Sequence, residues 1–372
     1  MTNTSTHRQS PQWFSRLHAN GRPPLPQLLT QQALGTAYNG NGRLPLMPTI
    51  SLFNNKGGVG KTTFLFHVAH VLADQGRSVL MVDCDSQCNL TAYALQDKAI
   101  EKAWEDGGNS IYRAIELVAR GIGDIRNRAP SLLRSNLALI PGDLLLSDFE
   151  DLLGDSWNAA KGGSEPALRA QSAIYRTILQ SAEKVKAEVV LIDLGPNLGA
   201  LNRAALGGSD YVIVPVAPDL FSIRGAENLG NKLAKWRKEW DQCNAAWSGA
   251  LEIPKGRPSF LGYVMQQHNI RSNASGMTKG WQIFGNRLES AIQEYIVDLL
   301  TPLGQVKNNT SNSFDLGKIP NLHSLIPYSL EARKPVFECT GSDGLTGAHI
   351  QRARDSKALF APIASAIQNV IQ

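Results

Sequence analysis

Residues 49–76 constrain this chain more than any other stretch, because a strand, a glycine-rich turn and a helix are written there in immediate succession. Thr49 to Phe53 (TISLF) is an apolar run suited to a buried strand. Asn55-Lys56-Gly57-Gly58-Val59-Gly60-Lys61-Thr62-Thr63 follows. Beyond it Phe64, Leu65, Val68, Ala69 and Leu72 recur at helical spacing, and Gly76 stands where a helix C-terminal glycine belongs. In this order Gly57, Gly58 and Gly60 let successive N–H groups point into one concavity, and the helix adds its positive N-terminal end. Such a turn holds phosphates: Lys61 can reach the outer ones, and the Thr62 hydroxyl can ligate Mg²⁺. Asn55 occupies the place of the first glycine in the G-x-x-x-x-G-K-[ST] pattern, and Lys56 is a second lysine within the turn.

Two further apolar runs end in carboxylates. Ser78 to Val82 leads into Asp83-Cys84-Asp85-Ser86-Gln87, and Val189 to Ile192 leads into Asp193-Leu194-Gly195-Pro196. In an open parallel sheet, ligands bind beyond the carboxyl ends of the strands. All three strands therefore deliver polar groups to one edge, where carboxylates can hold Mg²⁺ directly or through water and can orient an attacking water. An aspartate closing a strand is often only a turn former, so the weight lies in the combination.

These segments resemble the ParA/MinD family of deviant Walker A ATPases: Lys56 to Thr63 looks like the deviant phosphate loop, Asp83 to Gln87 like switch I, and Leu191-Ile192-Asp193 like the second aspartate motif. The resemblance continues through Tyr211 to Val216, the Phe221 to Gly225 turn and Glu331 to Val336, and covers residues 48–370. It implies ATP and Mg²⁺ as cofactors and an ATP-sandwiched homodimer. By resemblance, Lys56 reaches the partner's nucleotide and Lys61 serves its own, while Asn55, Gly57, Gly58, Val59, Gly60, Thr62 and Thr63 complete the cradle. Thr62 ligates the metal, Asp193 holds it through water, Asp83 supports the metal shell, and Asp85, also counted among the metal-site residues, positions the attacking water. Adenine is implied by the family, no Asn-Lys-x-Asp guanine motif standing in the expected place, and Gln266, Gln267 and Pro320 are candidate base contacts. Ser86 replaces the proline usual in switch I.

The net charge of +5 is unevenly placed. No acidic residue precedes Asp74, so Arg8, Arg16, Arg22 and Arg43 give the first 48 residues most of the excess. Basic residues also gather at Lys232, Lys235, Arg237 and Lys238, and at Arg352, Arg354 and Lys357, where a solvated helix face is the plainer reading. ParA-type partition ATPases bind DNA without sequence preference, so the resemblance implies non-specific DNA and a ParB-like or effector protein as partners. Many relatives carry an arginine after an Ile-Pro pair; here Asn321 follows Ile319-Pro320. Cys84, Cys88, Cys243 and Cys339 show neither a disulfide framework nor zinc spacing, which fits reduced thiols.

No run approaches the ~18 apolar residues of a membrane span. Leu359, Phe360, Ile363, Ile367, Val370 and Ile371 form an apolar helical stripe, yet no lysine or arginine follows Lys357, so this helix is expected to pack on the sheet rather than on lipid. The expected location is cytoplasmic, with nucleoid association if DNA is bound. Residues 1–48, rich in proline, glutamine and asparagine, are expected to be an irregular basic arm, with Trp13-Phe14 and Leu25 to Leu34 able to form short docking helices.

Residues 49–372 are expected to form one ATPase domain, a three-layer α/β P-loop NTPase with a mainly parallel twisted sheet of seven or eight strands and helices on both faces. Ile111 to Ala119 and Ser131 to Arg134 read as helical excursions, and Gly154 to Pro166 and Cys243 to Pro258 as loops. Three outputs fit such a switch: partition or cargo positioning on DNA, recruitment of an effector by a signalling or scaffold ATPase, and a small-molecule ligase of the same fold.

Overall fold

Four of the strands are buried along their whole length, the state expected of a parallel sheet covered on both faces. The computed structural model describes residues 47–217, 219–268, 279–307, 313–322 and 324–371. The expected docking helices of the arm lie outside these residues.

The first half contains β1 (Thr49–Leu52), α1 (Lys61–Asp74), β2 (Val79–Cys84), α2 (Asn89–Ala94), α3 (Asp97–Trp104), α4 (Ile111–Ala119), β3 (Ser131–Arg134), β4 (Leu137–Ile140), α5 (Leu146–Asp155), α6 (Trp157–Lys161), α7 (Glu165–Gln171) and α8 (Ala173–Val185). The second contains β5 (Val189–Leu194), α9 (Ala200–Gly207), β6 (Tyr211–Val216), α10 (Leu220–Ala246), β7 (Ser259–His268), α11 (Lys279–Ile292), α12 (Asp298–Leu300), β8 (Asp315–Pro320), α13 (Leu325–Ala332), α14 (Ala348–Asp355) and α15 (Lys357–Ile371).

The strands form one eight-stranded sheet in the order β3-β4-β2-β5-β1-β6-β7-β8. Every pairing is parallel except β3 with β4 at the edge. From β1 the chain moves to one side, to β2, and from β5 it moves to the other, to β6. This change of direction opens a crevice at the carboxyl edge.

Strand alternation splits the core into two layers. Leu80, Val82, Val190 and Ile192 face the layer that holds Phe149 and Trp236. Val79, Met81, Val189 and Leu191 face the layer of α1 and α15. Helix α1 is buried on nearly all sides, and its end is closed by Gly76 N–H donating to Ala73 O and Arg77 N–H to Leu72 O. Those two bonds satisfy carbonyls that a helix end leaves open. Phe360, Ile363 and Ile367 of α15 pack into the same layer. Burial of each such side chain contributes about 1.5–3 kcal/mol, so these three residues of the stripe are taken up by the sheet face. No helix among the described residues is long and apolar enough to cross a membrane.

Four local expectations are corrected. Ser131–Arg134 is an edge strand, antiparallel to β4, rather than a helical excursion. Four residues carry too little periodicity to resist a pairing partner that follows immediately in the chain. Gly154 to Pro166 is mostly helical: only Gly162 to Ser164 separates α6 from α7, and Pro166 sits in a first helical turn, where a missing N–H costs nothing. Trp157 and Ala160 of this segment, with Leu168 just beyond it, pack on Trp240 and Cys243. The loop expected from Cys243 begins as the last turn of α10, and the Phe221 to Gly225 turn is the first part of that helix.

Candidate functional site

The turn after β1 ends at Gly60, which has φ 88° and is the N-terminal cap of α1. A residue with a Cβ is strained there, and the glycine leaves the first N–H groups of α1 open toward the turn. Gly57, Gly58, Gly60, Lys61, Thr62 and Thr63 line a cleft of about 550 Å³, whose other wall includes Asp85, Gln266, Pro320 and Asn321. Val59 is buried beneath the turn, and Asn55 turns its side chain toward Gly225 of α10; neither lines the cleft.

Lys61 is 7% exposed, and burial lowers its amine pKa against the opposing pull of Asp193 and Asp85. Beside it, Thr62 Oγ1 donates to Asp193 Oδ2 at 2.6 Å. The other oxygen of that carboxylate, Asp193 Oδ1, is buried without a hydrogen-bond partner. Asp193 and Asp83 are register partners on β5 and β2. Burial, and then the charge of Asp83, raise Asp193 to about 7; burial raises Asp83 to about 6 against the hydrogen bonds from Thr91. An orphaned buried carboxylate oxygen beside a threonine hydroxyl is an oxygen donor set suited to a hard cation. No cluster of three or more His, Cys, Asp or Glu side chains could hold a metal among the described residues. Mg²⁺ fits this arrangement, since it keeps several waters and takes few carboxylates when phosphates share it.

Asp83 has a different position from the one expected. Its Oδ2 accepts from Thr91 N at 2.8 Å and Thr91 Oγ1 at 2.7 Å, its Oδ1 accepts from Asp85 N at 3.2 Å, and it does not line the cleft. The carboxylate thus anchors the start of α2 and leaves Asp85 facing the cleft. Asp85 Oδ1 accepts from Gln87 N at 3.0 Å, which fixes the turn that carries it.

Lys56 points elsewhere. Its ammonium pairs with the carboxylate of Asp219, the N-cap of α10, and lies 5.9 Å from the centre of the Phe221 ring. It is not among the residues lining its own cleft. Asp219 carries no motif signal beyond an Asp-x-x-Ser capping pattern, so the pairing is visible only in three dimensions.

At the far end of the cleft, Gln266 is 4% exposed and its Nε2 has no partner. Pro320 ends β8 nearby. The side chain of Gln267 lies outside the described ones.

A profile of the AAA_31 family, described as an AAA domain, matches residues 47–245, just over half of the 372. Protein IncC of Escherichia coli is 30% identical over 193 residues, covering 52% of this chain and 47% of that protein. The chain belongs to the ParA/MinD family. Sporulation initiation inhibitor protein Soj of Bacillus subtilis is 29% identical over 182 residues, 49% of this chain and 63% of its own. The chain therefore spans about half to two thirds of the length of these curated relatives. Among solved structures, protein DIP2308 of Corynebacterium diphtheriae is 29% identical with a TM-score of 0.60, covering 77% of this chain and 97% of that one. The ATP complex of a Cyanothece McdA variant shares the fold at 15% identity and a TM-score of 0.58, covering 87% of this chain and 96% of that one. The eight-stranded sheet is that of ParA-like P-loop NTPases.

Proposed function

We propose that this chain hydrolyses ATP with Mg²⁺ and uses the nucleotide as a dimerisation switch, binding DNA without sequence preference and serving partition or cargo positioning. The observation that carries the reading is the meeting of Lys61, Thr62, Asp85 and Asp193 at one loop, with Lys56 held outside the cleft.

The chain's residues divide the work of phosphoryl transfer, which is mainly positioning and charge stabilisation. The N–H groups from Gly57 to Thr63 hold the phosphate chain, and Lys61 neutralises its outer charge. Thr62 and Asp193 would hold Mg²⁺, Asp193 through water, and the ion would supply positive charge against the phosphates. Asp85 orients the attacking water, and Asp83 keeps Asp85 in place by accepting from its backbone N–H. Gln266 and Pro320 bound the base.

A second copy supplies the missing cation. Lys56 reaches the partner's nucleotide once it leaves Asp219, and the apolar residues Leu144, Leu145, Leu220 and Phe221, all at least 36% exposed, form the rim around the site. Leu144 and Leu145 follow β4, Leu220 and Phe221 follow β6, and the three nucleotide-binding strands lie between. An apolar rim on the ligand edge of the sheet is suited to association with another copy.

For DNA, exposed Lys235 and Lys238 on α10 and Arg352 and Arg354 on α14 are available for phosphate contacts. Arg237 and Lys357 are engaged with Asp241 and Asp74. Asn321, in place of an arginine, favours the second reading, a scaffold ATPase that recruits an effector protein. Retention on arbitrary duplex with ATP, falling steeply with salt, supports the partition reading. No retention at low salt, with the dimer formed, contradicts it in favour of the scaffold.

A further inference from the structure

The turn that follows Asp193 is held by one buried side chain. Asn202, in the first turn of α9, is 1% exposed. Its Nδ2 donates to Gly195 O at 2.9 Å, to Asn197 O at 2.7 Å and to Asn197 Oδ1 at 3.0 Å. Two of those acceptors are backbone carbonyls, so the amide nitrogen must be the atom that faces them. Asn202 Oδ1 is buried without a partner. A side chain that leaves its own acceptor unsatisfied while its donor binds three oxygens is fixed by the turn's requirements, because an orphaned buried polar atom is costly.

What the amide holds borders the cleft through Pro196, which lies between the two bonded residues and lines it. A methyl group placed on Gly195 would come within 3.2 Å of Asp85 Oδ1, so the Gly195 backbone lies close against that carboxylate and a side chain there would press on it. Pro196 lies against Gly57 of the phosphate loop, 4.0 Å from the place of a Cβ there. From outside, Asn197 Oδ1 accepts from Gly199 N at 3.0 Å, and Glu150 of α5 accepts from Leu201 N at 3.3 Å. The segment is thus held at both ends, with Asn202 its central tie.

We propose that Asn202 is a positioning residue for ATP hydrolysis, fixing Gly195 to Asn197 against Asp85 and the phosphate loop. The proposal rests on the hydrolytic reading above. Movement of this turn by about 1 Å alters the room for the attacking water, and misplacements of that size cost on the order of 10²-fold in rate.

The test compares Asn202→Ala, Asn202→Asp and Asn197→Ala in the full chain, with wild type and Asp85→Ala alongside. Asn202→Asp preserves size but presents carboxylate oxygens to three acceptors; Asn197→Ala alters an exposed residue and keeps the Gly195 tie. Turnover, KM, affinity for a fluorescent ATP analogue and thermal melting are measured. Both Asn202 variants are expected to lose about 10–100-fold in kcat, with nucleotide affinity within about 3-fold of wild type; Asn197→Ala is expected to lose about 3–10-fold. Folded Asn202 variants with unchanged kcat, or with loss confined to KM, overturn the proposal. If neither Asn202 variant folds, Asn197→Ala decides, and an unchanged kcat overturns it. Wild-type turnover that does not depend on Asp85 would instead remove the hydrolytic reading and the proposal with it.

Discussion

Lys56 and Asp219 form an ion pair within one chain, and Asp219 at the same time caps α10 through a 2.9 Å bond from Ser222 N to its Oδ1. A lysine proposed to serve a second copy's nucleotide is therefore parked on its own helix start. Both side chains are about one third exposed, at 33% and 31%, so solvent limits the pair to about 0–1 kcal/mol.

Asp219→Asn removes the charge and keeps a capping side chain. It is expected to lower the protein concentration for ATP-dependent dimerisation by up to about 5-fold, the equivalent of about 1 kcal/mol. Lys56→Ala is expected to bind ATP within a few-fold of wild type and to remain monomeric. Sedimentation velocity with and without ATP separates the two, and normal dimerisation by Lys56→Ala would refute the role in trans.

Thr62 and Asp193 are joined by a 2.6 Å hydrogen bond that leaves one carboxylate oxygen unpaired. Thr62→Ala and Asp193→Asn are each expected to reduce the gain in ATP affinity that Mg²⁺ brings by about 10-fold or more, near the low end for lost metal-site partners. Titration of a fluorescent ATP analogue with Mg²⁺ and with excess EDTA reads this directly. A Mg²⁺ effect as large in both variants as in wild type would move the metal elsewhere.

Contiguity decides how much of this was legible in the sequence. The phosphate loop and both aspartate motifs are unbroken strings at strand ends, so their chemistry and their shared edge could be read residue by residue. Asp219 meets Lys56 across 163 positions, and a single polar residue at such a distance leaves no periodic trace. Thr91 as the anchor of Asp83 was hidden for the same reason. On β7, Gln266 reaches the cleft, and the strand alternation that carries it there is too short to be read from the sequence around two adjacent glutamines. The short edge strand β3 and helix α6 escaped because pairing and packing partners, not local pattern, decide such brief segments.

His67 offers a test of folding independent of nucleotide. Its Nδ1 meets Thr63 O at 2.7 Å, its Nε2 accepts from Val336 N at 2.9 Å, and its ring stacks on Phe360. Burial lowers its pKa to about 3, with His70 adding to the fall and Glu338 opposing it. The folded value lies below the unfolded one, so this contribution is complete above about pH 6.5 and is lost as pH falls toward about 3, the loss reaching about 2 kcal/mol at pH 5. Denaturant unfolding is expected to show a flatter stability profile between pH 7 and 5 in His67→Gln than in wild type, after allowance for the variant's lower overall stability. Identical slopes would contradict a neutral buried His67.

Asp85 is where hydrolysis and dimerisation can be read together, because it lines the cleft and the Gln87 N–H fixes the turn that carries it. Asp85→Ala, incubated with ATP and Mg²⁺, is measured for oligomeric state by light scattering and for phosphate release in the same sample. A stable ATP-loaded dimer is expected, with turnover reduced about 10²-fold or more. A variant that remains monomeric at saturating ATP, or that releases phosphate at the wild-type rate, would contradict an ATP-sandwiched hydrolytic switch.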